Sequence, residues 1–194
     1  MTLNILNLGA GVQSTYLYMQ YSRGLILPQI DLAIFADTQE EPEDVYKHLD
    51  WLDSIGGPRI LRATAGSLGE DLKNGRNSTG QRVASIPAFT VPNETCKEFK
   101  DESEDFSLEE GDPFQEEETN KTGMIRRQCT KEYKIEVIWR TIRRDILKLA
   151  PRQRIPKGTT VVSIIGISLD EVGRSHRIRA NATNNQKYRF PIVE

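Results

Sequence analysis

Four short runs of this chain gather residues able to hold an anion, each just past an expected strand or beside an expected helix. The first is Leu8-Gly9-Ala10-Gly11-Val12-Gln13-Ser14-Thr15. Small residues let the backbone approach an anion, and a helix starting there aims unpaired N–H groups and its dipole at the same point. The Ser14 and Thr15 hydroxyls add donors. The run lacks the Lys of a GxxxxGK[ST] loop and the spacing of GxGxxG, and small residues in such a turn also serve plain close packing.

The second run is Asp37-Thr38, past the carboxyl end of a strand, where open parallel sheets place their ligands. A carboxylate there would accept from ribose hydroxyls or an adenine amine, or would cap the next helix. The third is Arg126-Arg127-Gln128-Cys129-Thr130 with Tyr133-Lys134, cations dense enough for a polyphosphate or sulfate-like anion. Cations beside Cys129 would lower its thiol pKa and make it reactive; a structural cysteine is the alternative. The fourth is Asp170-Glu171 with Arg174: carboxylates for Mg²⁺ and a cation for phosphate, or a surface ion pair.

The elements that must position these residues follow from periodicity. Leu3 to Leu8 reads as a buried strand, and a helix follows from Gln13 with apolar positions at Val12, Tyr16, Leu17 and Met19 and a stop at Gly24. Asp31 to Phe35 is a second strand. A helix near Glu41-Pro42 follows, with Val45, Leu49 and Leu52 on its core face. Arg59 to Arg62 begins a third strand, so strands and helices alternate as in a parallel sheet with crossover helices. The alternation then stops. Residues 63–125 read as an insertion with prolines at 87, 92 and 113, and its segment 101–118 carries ten carboxylates, a solvated loop or an active-site lid.

From Thr119 to Lys157 the sign reverses, with twelve Lys or Arg against three acids. Ile135, Ile138, Ile142, Ile146 and Leu149 repeat at helical spacing there. The basic side of that helix is a solvated face, or a surface for nucleic acid or another polyanion along 126–157. Thr159 to Ile167 is the most β-branched strand and runs into the Asp170 region.

Composition narrows the class. The 194 residues suit one domain, and the net charge of −2 gives no global attraction to nucleic acid. Two cysteines, Cys96 and Cys129, are too few for a disulfide scaffold or a zinc quartet, and the absence of a leader-like amino terminus points to a cytoplasmic setting. His48 and His176 read as surface residues. No apolar run approaches the roughly 20 residues that span a bilayer, so no membrane partner is expected.

Taken in order, GAGVQST, FADT with EEPEDVYKHLDWL, RRQCTKEYKIEVI and GISLDEVGR resemble the PP-loop ATP pyrophosphatases, and within them the PAPS reductase-like group that is common in phages. The resemblance implies a single domain over residues 1–194, α/β in class. Its fold would be Rossmann-like (adenine nucleotide alpha hydrolase-like), a parallel sheet flanked by helices. It implies ATP or a related adenine nucleotide with Mg²⁺, and cleavage between the α- and β-phosphates to adenylylate an acceptor. Gly9, Ala10, Gly11, Val12, Gln13, Ser14 and Thr15 would form the loop, joined in the nucleotide site by Asp37, Thr38, Arg127 and Gly166. Lys134 and Arg174 would be catalytic, and Asp170 and Glu171 would be metal ligands. Gly9, Ala10 and Gln13 stand where the family loop has Ser, Gly and Asp. The carboxyl-terminal cysteine motif of true PAPS reductases has no counterpart, which argues against a complete reductase. The other readings are a sulfonucleotide-binding or sulfotransfer protein and a non-catalytic nucleotide-binding module. The acceptor is unidentified, nucleic acid among the candidates, and self-association is left open.

Overall fold

The computed structural model describes residues 1–77, 79–80, 129–180 and 182–193. Five parallel strands form one sheet in the order β3-β2-β1-β4-β5: Thr2–Asn7, Leu32–Asp37, Ile60–Thr64, Thr160–Ile164 and Gln186–Arg189 as β1 to β5. The α/β class and the parallel sheet flanked by helices are as expected. Strand β5, polar in sequence, carries no alternating apolar signal and escapes a reading by periodicity.

The chain moves outward from β1 to β2 to β3 on one side, returns, and moves outward again from β4 to β5. Right-handed crossovers then place the helices of the two halves on opposite faces. On one face α1 (Val12–Ser22) and α2 (Glu43–Ser54) cover the sheet. Leu17, Tyr18 and Tyr21 of α1 and Leu49 and Leu52 of α2 pack there on Leu6, Ala33, Phe35, Val162 and Ile164. The expected stripe of α2 is thus in place. That of α1 is shifted: Val12 is 86% exposed and Tyr16 52%, and the buried face runs instead through Ser14, Leu17, Tyr18 and Tyr21. Helix α1 ends as expected, with Gly24 at a φ of 70° where a side chain would be strained.

On the other face lies one continuous helix in three pieces, a π-helical turn at Thr130–Ile135, α4 at Glu136–Thr141, and a second π-helical turn at Ile142–Ile146. Its Val137 and Ile142 pack on Leu3, Ile5, Ile34, Ala36 and Val161. The isoleucine stripe is corrected here: Ile142 is buried, but Ile135 is half exposed. The wider π turns rotate successive side chains less than an α-helix does, so the apolar set slips off a strict three-four spacing. Helix α5 (Val172–Ala180) follows a 3₁₀ turn at Leu169–Glu171 and links β4 to β5. A further short helix, α3 (Leu68–Lys73), lies within the region read as insertion, capped by the Ser67 hydroxyl accepting from the Glu70 N–H. The acidic segment 101–118 lies outside the described residues. Among the described residues, no helix is long and apolar enough to cross a membrane.

Candidate functional site

Strand order reverses between β1 and β4, which open α/β sheets use as the ligand crevice. The loops leaving these two strands interlock. Gly166, two residues past β4, lies against the first turn of α1, so close that a Cβ there would come 2.9 Å from both Gln13 C and Ser14 N. The Gln13 amide donates to Ser168 Oγ at 3.2 Å, tying the same two loops. Within the turn, Ser14 Oγ donates to the Gly11 carbonyl at 3.1 Å, so this hydroxyl serves the helix start. Ala10 holds a left-handed φ of 55°.

Beside this junction opens a cavity of about 590 Å³, within the usual range for small-molecule sites. Its edge is Gly9, Gly11, Gln13, Ser14 and Gly166. One wall is the composite helix, through Thr130, Lys134, Ile135, Ile138 and Trp139; another is α5, through Arg174 and Ile178. Asn7, Ser163, Gln186 and Tyr188 also line it. The first π-helical turn therefore borders the cavity, a common association of π turns with function.

The cavity is cationic. Lys134 and Arg174 line it, and among the described residues no Asp or Glu does. Both cations rest on carboxylates outside the lining: Lys134 Nζ lies 3.1 Å from Glu41 Oε1, and Arg174 Nη1 lies 3.1 Å from Glu171 Oε1. Such half-exposed pairs hold weakly and yield readily to a better anion.

Of the residues singled out in the sequence, Gly9, Gly11, Gln13, Ser14, Lys134, Gly166 and Arg174 meet at this cavity. Ala10, Val12 and Thr15 belong to the loop but do not line it; Thr15 Oγ1 is 2.9 Å from His48 Nε2. The His48 ring also lies tilted against that of Trp51, centroids 5.4 Å apart, so it is more engaged than a bare surface residue. Asp37 stands apart from the cavity lining. Its Oδ1 accepts from the Gln39 N–H at 2.8 Å and from Tyr46 Oη at 2.9 Å, so it ties down the turn after β2 and does not cap α2, whose N-cap is Pro42 with no side-chain cap. Thr38 is buried, with its hydroxyl donating to Glu41 at 3.3 Å.

Asp170 and Glu171 do not line the cavity either. The Ser168 hydroxyl holds the Asp170 carboxyl below its usual pKa, and Glu171 is the ion-pair partner of Arg174. Among the described residues no group of three His, Cys, Asp or Glu is placed to hold a metal. Cys129 is a free, half-buried thiol that does not line the cavity, whereas its neighbour Thr130 does. Arg126 and Arg127 lie outside the described residues.

Sequence inspection passed over Asn7, Ser163, Gln186 and Tyr188. Burial raises the pKa of the Tyr188 phenol above its usual value of 10.0, so it is a neutral hydroxyl at ordinary pH. A polar residue in phase with the apolar positions of a strand is the one signal that would have found Asn7 and Ser163. No family model, no curated protein and no solved structure matches the chain.

Proposed function

We propose that the chain is an ATP-binding enzyme of the PP-loop type that transfers the adenylyl group of ATP to an acceptor. The observation that carries this reading is the charge of the switch-point cavity: the first turn of α1, Lys134 and Arg174 converge on it without a carboxylate among the described residues. That is an environment for a polyanion, with a helix N-terminus and two cations, each held only by a half-exposed ion pair, lining one cavity.

In the proposed reaction an acceptor nucleophile bonds to the α-phosphorus, the bridging bond to the β-phosphate breaks, and pyrophosphate leaves. Lys134 and Arg174 exchange Glu41 and Glu171 for phosphate oxygens, and Arg174 neutralises charge that grows in the transition state. The backbone at Ala10 supports the loop reading, since this residue stands where the family loop has glycine and its left-handed φ of 55° is one that glycine adopts without strain. Asp170 and Glu171 do not fit the role of ion ligands, so an accompanying Mg²⁺ would be held by phosphate oxygens and water.

A nucleic-acid acceptor is favoured by one further observation. Arg140, Arg144, Lys148, Arg152, Arg154 and Lys157 are all exposed along the composite helix and the loop after it. A sulfonucleotide would suit the same anion set, but Cys129 is not at the cavity to receive its sulfur.

The test is incubation with ATP and Mg²⁺, with water or single-stranded nucleic acid as acceptor. Pyrophosphate is the expected product with either acceptor, together with AMP from water and an adenylylated strand from nucleic acid; ADP and phosphate would overturn the reading. Arg174→Met is expected to weaken ATP binding at least tenfold, most visibly at low salt.

A further inference from the structure

Besides its two cations, the cavity is lined by residues of the sheet face that carries the composite helix, and this floor is polar where a sheet interior is ordinarily apolar. Asn7 and Ser163 continue the alternation of Leu3, Ile5 and Val161, which are core residues on this face. Register pairs Val161 with Gln186 and Ser163 with Tyr188, so both β5 side chains share the face. Ser163 is 3% exposed and Gln186 6%.

Burying such groups costs free energy unless they are bonded, yet this floor is only partly satisfied from within. The Gln186 amide donates to the Tyr188 hydroxyl two residues along the same strand. The Oδ1 of Asn7 is buried with no partner among the described residues. Valine or isoleucine at 7, 163 and 186 would simply extend the core. The composite helix on this face adds the apolar side chains of Ile138 and Trp139 to the lining. A lining that joins these apolar side chains to two carboxamides and two hydroxyls suits a planar heterocycle whose edge alternates N–H donors with ring-nitrogen acceptors. A carboxamide is the side chain that pairs in two-pronged fashion with the amino and ring-nitrogen edge of adenine.

We propose that Asn7, Ser163, Gln186 and Tyr188 form a nucleobase subsite that reads the edge of a purine. This rests on the nucleotide reading above and extends it: the base is recognised on the face over β4 and β5, and the Asp37 carboxylate stays committed to its own turn.

The experiment compares ATP with inorganic tripolyphosphate, which has the anion but no base, by titration calorimetry. The proteins are the unaltered chain, Asn7→Leu and Gln186→Met. The expected result is at least a tenfold loss of ATP affinity in both variants with tripolyphosphate affinity kept within twofold. ATP affinity unchanged, or both ligands weakened alike, overturns the subsite while leaving the nucleotide reading standing. If the unaltered chain binds neither ligand, the nucleotide reading falls and takes the subsite with it. Should either variant fold poorly, the unaltered protein still decides: NOEs between the adenine H2 or H8 proton and the Tyr188 ring are expected. Their absence with ATP bound overturns the proposal.

Discussion

Gly166 and Ser14, on loops from two different strands, meet so closely that no side chain fits between them. A Cβ at Gly166 would lie 2.9 Å from the Ser14 nitrogen and equally close to Gln13 C. The obstacle is backbone, which cannot swing aside as a side-chain tip can. This contact fixes the first turn of α1 against the end of β4, and with it the direction of the N–H groups at the cavity edge.

Gly166→Ala is therefore expected to cost about 1–3 kcal/mol of stability through overpacking. It should weaken ATP binding as well, because relief comes only by moving the turn that presents those N–H groups. Urea unfolding and ATP titration of the same variant check both parts. Unchanged stability and affinity would mean that the two loops are free to separate.

Ala10 makes the opposite prediction. A non-glycine residue at a φ of 55° costs roughly 1–2 kcal/mol, partly offset by the greater freedom glycine has in the unfolded chain. Ala10→Gly is expected to stabilise the protein by about 0.5–1 kcal/mol and to leave ATP affinity within twofold, since Ala10 does not line the cavity. A loss of stability would show that the surrounding loop does not impose this conformation.

These two positions also mark how far the sequence is legible. The short run from Leu8 to Thr15 announces a strand, a turn and a helix, and Leu49 and Leu52 announce the face of α2, because each signal is local and periodic. The polar floor is not local. Gln186 sits on a short strand without an alternating pattern, and only the register with β4 brings it into the cavity. The π-helical turns likewise shift Ile135 out of the core in a way that a strict helical period conceals. Asp37 shows the converse: its place at a strand end suggests a ligand, but the nearest donors, Gln39 N–H and the Tyr46 hydroxyl, claim the carboxylate first.

Asp37→Ala consequently tests structure rather than binding. It removes the acceptor of two hydrogen bonds and should cost about 1–3 kcal/mol, with ATP affinity unchanged within twofold. Asp37→Asn, which keeps an acceptor oxygen for the Gln39 N–H, should cost less. Thermal unfolding of the three proteins, read beside ATP titration, separates the outcomes. A selective loss of ATP binding in a fully stable Asp37→Ala would return this carboxylate to the site.

Three phenols predict a fall in stability at high pH. Burial, then the charge of Asp53, raises the pKa of Tyr18 above 10.0. Burial, then the bond to Asp37, raises that of Tyr46, and burial raises that of Tyr188. Below pH 10 both folded and unfolded chains keep these protons, so the contribution is fully present. Above it the unfolded chain releases them first and binds fewer protons than the folded one, so stability drops as pH rises through the folded values. Tyr18 Oη donates to the Pro58 carbonyl at 2.8 Å, so Tyr18→Phe should cost about 1 kcal/mol at pH 7. The same variant should lose stability less steeply above pH 10, because one of the three protons is gone from both states. Urea unfolding at intervals from pH 7 to 11 measures the slope, and parallel curves for the two proteins would show that the Tyr18 phenol ionises as readily folded as unfolded.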